Sequence, residues 1–438
     1  MDLIADTIQA FPTFEVREAA FLRAISALLP RSHAGPRIFW QDFSRTLGAM
    51  DTHHVADHVA YITANPRDCL AFSTPRQVLL AAGMQVGASG RGRGDRPESI
   101  ARQFGLENNL AQPIRTLSGG ETVKLALAKV NTRAATADRL AMASPFCWLD
   151  RDNLGLLEKV LQTYREREIP TRLYTLEGED DTRLISGDAD LGDGWSTSPL
   201  FHLAIDKLTL TLGSTLAAFN MPPPPEVRVN DFEARLPSPC LWIGGNGQGK
   251  SLMARVISGA MAIRGKARIT GPNGSKITRL IFQDVISQTL LRSFNTIRSR
   301  SGGRGAGRVP GIYRQIVGLI NRMDRSGRLR LSGPETGTVP TLLETKVILV
   351  AVRLALSPGA LILDEPDWGL SRSASIAFVA AVVNVSHGLD VPVILITHKP
   401  WWDAAVKSRV RIMKSGLEVD GTGRVKSFEI RLETVSHA

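Results

Sequence analysis

The chain has 438 residues, of which 43% are hydrophobic and 22% are charged, so two folded domains of roughly 200 residues are the natural expectation. Because no apolar run reaches the ~18 residues needed to cross a bilayer and no basic segment precedes an apolar one at the N-terminus, the sequence predicts neither a membrane-embedded nor a secreted protein. Its three cysteines are widely spaced without a CxxC pair, which favours a cytoplasmic location, and its net charge of +11 favours an anionic partner.

The first strong pattern along the chain is "RTLSGGETVKLALAKV", in which a glycine pair precedes residues with helical spacing. The backbone N–H groups of Gly119 and Gly120 and the hydroxyl of Ser118 would stand at the N-terminus of this helix, where anions bind. Taken alone, LSGGE is equally compatible with an ordinary helix cap. The acidic, glycine-rich residues 177–194 indicate the end of the first domain and a linker.

Alternation of apolar and polar residues then predicts two extended segments, "LFHLAIDKLTLTLGS" from Leu200 and "EVRVNDFEARL" after four prolines. Behind them, "CLWIGG" predicts a short buried strand that runs into a glycine loop, and "KSLMARVISGAMA" predicts a helix. Strand, glycine loop and helix occur in the order that a phosphate-binding loop requires. A simple glycine turn would not predict these flanking elements.

The glycine loop, residues 244–251, predicts a nucleotide site from its chemistry. Glycines let the backbone wrap a phosphate and point N–H groups at it, and the helix N-terminus strengthens the attraction. Lys250 can reach the β- and γ-phosphates, and the hydroxyl of Ser251 can bind magnesium. The residues predicted to contact ATP in this segment are Gly244, Gly245, Asn246, Gly247, Gln248, Gly249, Lys250, Ser251 and Leu252.

An arginine-rich insertion follows "LIFQDV", a segment in which Gln283 ends an apolar run. Residues 292–330 contain ten arginines and one acid, Asp324, which gives a local balance of +9. A smaller counterpart, "SGRGRGDR", occupies residues 89–96. A solvated loop explains such charge runs as well as a surface for an anionic partner does.

Two further apolar strands carry polar residues at their ends. "ALILDEPDWGL" ends in Asp364, which suits a magnesium-bound water, and Glu365, which suits polarisation of an attacking water. "VPVILITHKP" ends in His398. A Gln or a His at the end of an apolar strand is usually only a strand terminus, so Gln283 and His398 gain meaning only from the order of all these elements.

The order of glycine loop, glutamine, acidic strand and histidine resembles the ABC ATPase family over residues 200–438. The resemblance implies ATP and Mg²⁺ as ligands, with Glu365 as the catalytic carboxylate. It also implies that Gln283 senses the γ-phosphate and that His398 holds it. The implied magnesium ligands are Ser251, Gln283 and Asp364.

One family element is missing from this half, because "TVPTLLETK" stands where the family has its signature. The first half contains LSGGE and repeats the remaining elements: "FLRAISA" matches "MARVISG", "IFWQDF" matches "LIFQDV", "CWLDRDNLGL" matches "LILDEPDWGL" and "IPTRLYTL" matches "VPVILITH". The sequence therefore predicts two ABC cassettes in tandem. They comprise a degenerate cassette with an intact signature (residues 1–186), a linker (187–199) and a cassette with all elements except the signature (200–438).

The repeat also indicates what the first cassette has lost, so this cassette is predicted not to bind ATP in its own pocket. Its alignment places Arg17, Glu18 and Ala19 over Gly249, Lys250 and Ser251, Arg151 over Glu365 and Leu176 over His398. ABC cassettes pair head to tail, so the resemblance implies one complete site between the glycine loop of the second cassette and the signature of the first. Every degenerate element would then fall in the opposite site.

The predicted fold is α/β, with mostly parallel core sheets, helical subdomains and an antiparallel β-subdomain only in the second cassette. The predicted activity is ATP hydrolysis that changes the conformation of a partner complex. Two partner classes stay open. One is a protein or ribonucleoprotein complex, with nucleic acid contacted through residues 292–330, and the other is a membrane permease served by this chain as its ATPase subunit. The LSGGE form, the arginine-rich insertions and the fusion of two cassettes favour the first.

Overall fold

The computed structural model describes residues 8–11, 17, 20–21, 59–63, 65–88, 96–114, 117, 119–143, 145, 154–176, 199–212, 225–245, 247–282, 285, 306–324, 331, 341–397, 399, 402, 405–421 and 425–435. The chain divides into two compact units. The first unit comprises Met1–Asp180 and Asp420–Arg424, and the second comprises Asp181–Val419 and Val425–Ala438. The predicted linker lies almost wholly outside the described residues, so its boundaries remain predictions.

The first unit contains a parallel sheet of four strands: β1 (Ile8–Phe11), β2 (Val59–Ile62), β3 (Arg139–Ala143) and β4 (Thr171–Leu176). Its described helices are α1 (Pro75–Ala88), α2 (Pro97–Gln103), α3 (Gly119–Arg133) and α4 (Leu154–Arg165). Strands of a parallel sheet are covered by helices on their faces and are therefore apolar throughout. Accordingly, Leu140 and Met142 are fully buried in one cluster with Leu127 of α3 and Leu157 of α4.

The second unit is built around a mixed sheet of ten strands. These are β5 (Leu200–Thr211), β6 (Glu226–Val229), β7 (Phe232–Pro237), β8 (Cys240–Ile243), β9 (Arg264–Thr270), β10 (Thr278–Ile281), β11 (Ala360–Asp364), β12 (Val393–Ile396), β13 (Ser408–Val419) and β14 (Val425–Val435). Its helices are α5 (Lys250–Ile257), α6 (Val309–Met323), α7 (Leu342–Ala355) and α8 (Arg372–His387).

Strand order in this sheet is β10-β11-β12-β8-β13-β14-β6-β5-β7, with β9 paired to the free side of β5. The first five strands are parallel, whereas β5 pairs antiparallel with β6, β7 and β9. Among the described residues, antiparallel pairing occurs only in the second unit. The predicted α/β fold, with an antiparallel β-subdomain confined to the second half, is confirmed.

"EVRVNDFEARL", predicted as one extended segment, is two strands, β6 and β7. The side chain of Asn230 interrupts it, because its Oδ1 accepts the N–H of Leu432 at 2.8 Å. Asp231 likewise accepts the N–H of Lys207 through Oδ1 at 2.7 Å. Asn and Asp commonly end strands in this way, because their short side chains hydrogen-bond to nearby backbone.

The two sheets share one strand order. In the first unit the order β2-β3-β4-β1 repeats the order β10-β11-β12-β8 of the second unit. The final residue pairs of these strands also correspond. Ala143 of β3 pairs with Tyr174 of β4, and Asp364 of β11 pairs with Ile396 of β12. By topology, β3 is therefore the counterpart of β11, and Ala143 takes the position of Asp364.

This correspondence corrects two of the predicted sequence matches. The counterpart of the acidic strand is Arg139–Ala143 and not "CWLD", so Arg151 does not take the place of Glu365. The counterpart of the strand before Gln283 is Val59–Ile62, which pairs with β3 as β10 pairs with β11. Residues 38–43, "IFWQDF", lie outside the described residues. Both matches were wrong because a short apolar run beside one Gln or Asp recurs easily by chance.

Candidate nucleotide site

The glycine loop connects the end of β8 to the start of α5, as the sequence predicts. Gly244 has φ +151° and Gly249 has φ +102°, conformations that residues with a side chain rarely adopt. A Cβ at Gly244 would lie 2.3 Å from the carbonyl oxygen of Ile412, and one at Gly249 would lie 2.6 Å from Cδ1 of Ile430. The close approach of the β13 backbone therefore requires glycine at position 244, independently of any ligand, whereas at position 249 the left-handed φ is what favours glycine.

The ammonium group of Lys250 lies against the backbone of this loop. Its side chain is 5% exposed, and Nζ donates to the carbonyl oxygens of Gly244 at 2.6 Å and Gly245 at 3.0 Å. Buried cations need hydrogen-bond partners or an anion, and these two carbonyls supply part of that need. An ammonium group on the first residue of a helix is well suited to attract a phosphate group.

Gln248 makes a contact that the sequence does not predict. Its Oε1 accepts the N–H of Lys414 at 2.5 Å, so the side chain anchors the loop to β13. Leu252, also predicted to contact the ligand, lies in the first turn of α5 and is half-buried. Both residues belong to the segment that shapes the site.

Ser251 and Asp364 come together from separate elements. The Ser251 hydroxyl donates to Oδ1 of Asp364 at 2.9 Å. Hydroxyl and carboxylate oxygens are ligands that Mg²⁺ prefers, and Mg²⁺ usually takes only one or two protein ligands beside phosphates and water. The described part of the chain contains no cluster of three or more His, Cys, Asp or Glu side chains that could hold a metal. The Ser251–Asp364 pair fits a magnesium ion bound together with a nucleotide.

The two carboxyl groups at the end of β11 are buried. Burial raises the pKa of Asp364 to about 6, against the opposing effects of the Ser251 hydrogen bond, Arg255 and Lys250. Burial also raises the pKa of Glu365 to about 8; Lys250 opposes this shift, and the neighbouring Asp364 and Asp367 carboxylates add to it. Perturbed groups of this kind cluster at functional sites.

Glu365 also has an unusual backbone. Its φ is +49°, in the left-handed region that non-glycine residues seldom occupy. Its N–H donates to the carbonyl oxygen of Ile396 at 2.7 Å, which joins the ends of β11 and β12. Strained conformations persist where the surrounding structure fixes them, and they concentrate at functional sites.

Helix α7 begins in the segment in which the second half lacks the signature. Its N-terminus is capped by side chains of the same segment. Thr341 Oγ1 accepts the N–H of Glu344 at 3.2 Å, and Glu344 Oε2 accepts the N–H of Thr341 at 2.8 Å. Leu342, Leu343 and Glu344 are all buried. A carboxylate thus occupies the helix end where an anion could otherwise bind, and its charge would repel a phosphate.

Helix α3 of the first unit begins differently, with Gly119 and Gly120 as its first two residues. Glu121 in its first turn accepts a hydrogen bond from Asn109 Nδ2 at 3.1 Å. Four predicted site residues, Ser118, Asn246, Gln283 and His398, lie outside the described residues, as do residues 292–305 and 325–330 of the insertion. Their roles remain predictions.

In its described residues, the edge of the first sheet that corresponds to Asp364 is largely apolar. A hollow at the ends of β2 and β3 is lined by Ile62, Thr63, Pro66, Val123, Leu127, Ala143 and Pro145. Thr63 provides the one polar side chain of this lining. Nothing in the set could ligate magnesium as a carboxylate does.

Comparison with known proteins gives relatives in sequence and in structure. No protein-family model matches the chain. The chain is 26% identical over 191 residues to an ABC transporter ATP-binding protein of Methanopyrus kandleri, covering 40% of this chain and 68% of that protein. It is 26% identical over 198 residues to an ABC transporter ATP-binding protein of Methanosarcina acetivorans, covering 41% of this chain but only 57% of that relative.

Two solved structures share the fold of nearly the whole chain. A model of ribosome-bound archaeal Pelota and ABCE1 matches with a TM-score of 0.55 and 13% identity, covering 98% of this chain and 74% of that chain. RNase-L Inhibitor matches with a TM-score of 0.50 and 12% identity, covering 98% and 85%. At such identities the likeness concerns the fold alone. Together, the sequence relatives and the shared fold confirm the predicted resemblance to ABC ATPases. In the described residues no helix has the length and apolarity to span a membrane.

The raised pKa of Glu365 predicts a pH-dependent stability difference. Between pH 4.5 and about pH 8, Glu365 keeps its proton in the folded chain but has lost it in the unfolded chain. The stability of the wild-type protein therefore falls as the pH rises through this range. Glu365→Gln lacks this loss and should be more stable than wild type at pH 8.5 by at least about 1 kcal/mol, with little gain at pH 4.5. Urea unfolding at both pH values, without nucleotide or magnesium, measures the difference.

Glu433→Gln is the control, since Glu433 is an exposed glutamate on β14 of the same sheet. It should change stability little at either pH. An equal gain for Glu365→Gln at both pH values would show that burial does not hold the proton on Glu365.

Proposed function

We propose that the chain is an ATPase of the ABC type with one competent ATP site, formed by the glycine loop of the second unit and the LSGGE signature of the first. The observation that carries this proposal is the state of helix α7. Its N-terminus is capped by Thr341 and Glu344, so the second unit has no signature to offer an opposite site. The second unit does assemble Lys250, Ser251 and Asp364.

The first unit supports the same asymmetry. Ala143 takes the topological position of Asp364, and the edge around it is apolar. Arg17, aligned with Gly249 in sequence, is fully buried. A phosphate loop and a magnesium carboxylate are both replaced in this unit, whereas the helix that begins at Gly119 retains the signature. We infer that the first unit contributes Ser118, Gly119 and Gly120 to the site and binds no ATP by itself.

In the proposed site each residue has a distinct task. Lys250 and the amides of residues 244–251 would bind the phosphates, and Ser251 and Asp364 would hold a Mg²⁺ ion, which would supply positive charge beside the phosphate oxygens. Glu365 orients and polarises the attacking water, Gln283 senses the γ-phosphate, and His398 holds it. A bound Mg²⁺ would lower the pKa of Glu365 toward the ionised form needed for this role, whereas the nucleotide phosphates would raise it.

The proposed role of hydrolysis is to open and close a clamp that a partner reads. We favour a cytoplasmic protein or ribonucleoprotein complex as the partner, because the similar folds include a ribosome-bound protein and the insertion 292–330 carries a balance of +9. In its described part, residues 306–324, the insertion exposes Arg308, Arg314 and Arg322. The alternative is a membrane permease, which the names of the two sequence relatives support.

The asymmetric site predicts a binding stoichiometry. Calorimetry with magnesium and a non-hydrolysable ATP analogue should give one site per chain. Lys250→Ala should remove this binding, because the ammonium that meets the phosphates is lost. Lys276→Ala, which removes an exposed charge from the same unit, should leave it unchanged. Two equivalent sites would contradict the asymmetric arrangement.

The contribution of the signature predicts a separation of binding from hydrolysis. Ser118→Arg puts bulk and charge where the γ-phosphate would meet the first unit, so ATP should still bind the glycine loop while turnover falls at least about tenfold. Ser99→Arg on α2 is the matched control and should retain turnover, because Ser99 is exposed elsewhere in the first unit. Wild-type turnover in Ser118→Arg would exclude the composite site.

A nucleic-acid partner predicts salt-dependent binding through the insertion. Each phosphate contact adds about 0.7–0.9 to the slope of log binding constant against log salt. Replacing Arg298, Arg300 and Arg304 by Ala should therefore flatten the slope by about two to three units, with ATP hydrolysis retained. Fluorescence anisotropy with labelled RNA measures the slope.

An equal loss of charge elsewhere provides the control. Arg264, Lys266 and Arg268 are exposed on β9, and their replacement by Ala should leave the slope nearly unchanged. Weak association that does not respond to salt in any of these proteins would remove the nucleic-acid partner and leave the ATPase assignment in place.

A further inference from the structure

Asp367, two residues after Glu365, is an acid buried at the centre of a hydrogen-bond network. It is 3% exposed. Its Oδ1 accepts from the Ser375 hydroxyl and from Trp402 Nε1, the latter at 2.8 Å, and its Oδ2 accepts from Thr397 Oγ1 at 2.5 Å. The three donors are themselves buried. Neither the glycine loop nor the magnesium pair contains this residue.

The network joins three segments of the second unit. Asp367 lies in the turn after β11 that carries Glu365, Ser375 lies in the first turn of α8, and Thr397 and Trp402 follow β12. The Thr397 hydroxyl, which donates to Asp367, also accepts the N–H of Lys399 at 3.1 Å. Asp367 thereby fixes the residues on both sides of position 398.

A second contact joins the same two segments. The N–H of Glu365 donates to the carbonyl oxygen of Ile396, immediately before Thr397. The turn after β11 and the segment after β12 are thus bonded once through backbone and once through the Asp367 side chain. Together these bonds set the position of one segment relative to the other.

A buried carboxyl group usually stabilises a fold no better than apolar residues of similar volume would. Removal of such a group from water is costly, and well-packed apolar residues are often equally stable or more so. Hydrogen bonds to a charged acceptor are directional, however, and they hold their donors in a defined geometry. Reacting groups must be placed to within about 0.5 Å, and an error near 1 Å can lower a rate by about 100-fold.

We propose that Asp367 is a positioning residue of the ATP site, which holds Thr397, at the end of β12, in fixed register with the turn that carries Glu365. The inference rests on the proposed function, in which Glu365 and His398 act at the γ-phosphate. Asp367 itself touches neither nucleotide nor water in this role. It acts through the Thr397 hydroxyl and the Trp402 indole.

Thr397→Val in the full-length chain is the direct test, because it removes the hydroxyl and keeps the shape. ATP turnover at saturation should fall about tenfold or more, while the Kd for magnesium and a non-hydrolysable ATP analogue changes less than about twofold. Thr397→Ser keeps the hydroxyl and should retain at least half of the wild-type turnover. Asp367→Asn should reproduce the loss of turnover in Thr397→Val.

Ser238→Ala is the matched control at the opposite end of the same strand. The Ser238 hydroxyl accepts the N–H of Val393, the first residue of β12, at 2.8 Å, and is fully buried. Its loss should lower the melting temperature by an amount similar to Thr397→Val but leave turnover within about twofold of wild type. A purely structural Asp367 would lower turnover in both variants in proportion to their loss of stability.

Two results would overturn the inference: wild-type turnover in Thr397→Val, or equal loss of turnover in Thr397→Val and Ser238→Ala. Glu365→Gln separates this failure from failure of the proposed function. If Glu365→Gln loses turnover while Thr397→Val does not, the role of Asp367 is rejected and the ATP site stands. If Glu365→Gln hydrolyses ATP like wild type, the proposed site is itself wrong, and the positioning role falls with it.

Discussion

The burial of Lys250, Asp364 and Glu365 at one edge of the second sheet is the interaction on which the site depends. Parallel pairing places the ends of β8 and β11 at this common edge, with β12 between them. The ammonium group lies in the loop after β8 and the carboxyl groups at the end of β11, so opposite charges face the same small volume. Burial raises the pKa of both carboxyl groups, and Lys250 opposes the rise in each. A divalent cation and a polyphosphate would complete this balance of charges.

The difference between the two units follows from the same constraint. The corresponding edge of the first sheet is lined by Ile62, Ala143 and Pro145 in place of acids. Apolar contacts there take the place of the balanced charges found in the second unit. Where the second unit lacks the signature, α7 satisfies its N-terminal donors with its own Thr341 and Glu344. In both units, the place of the missing ligand site is thus taken by contacts within the same unit: apolar packing in the first and a capped helix in the second. The two units have kept one strand order while their edges have become chemically different.

Sequence reasoning recovered the glycine loop, the strands β8, β11 and β12 and helix α3, because glycines, acids or a histidine mark where these short apolar runs end. It misplaced β2 and β3 of the first unit, since these strands are equally short and no glycine loop, acid or histidine directly follows them. It missed Asp367 for a different reason. The partners of this acid include Trp402, 35 positions further along the chain, and such a network exists only after the strands have assembled. The anchoring of Gln248 to Lys414 was hidden in the same way, across 166 positions.

The left-handed backbone of Glu365 restricts which residues natural variation can place there. With φ at +49°, a β-branched side chain such as Val, Ile or Thr would clash with its own backbone, whereas Asn, Asp and Gly tolerate the conformation. A residue that replaces the acid is therefore expected not to be β-branched, unless the turn itself is rebuilt. The position that corresponds to Glu365 in the first unit, directly after Ala143, is a serine, which is not β-branched, followed by a proline. The geometry of one turn thus limits how an enzyme of this architecture can drift into an inactive relative.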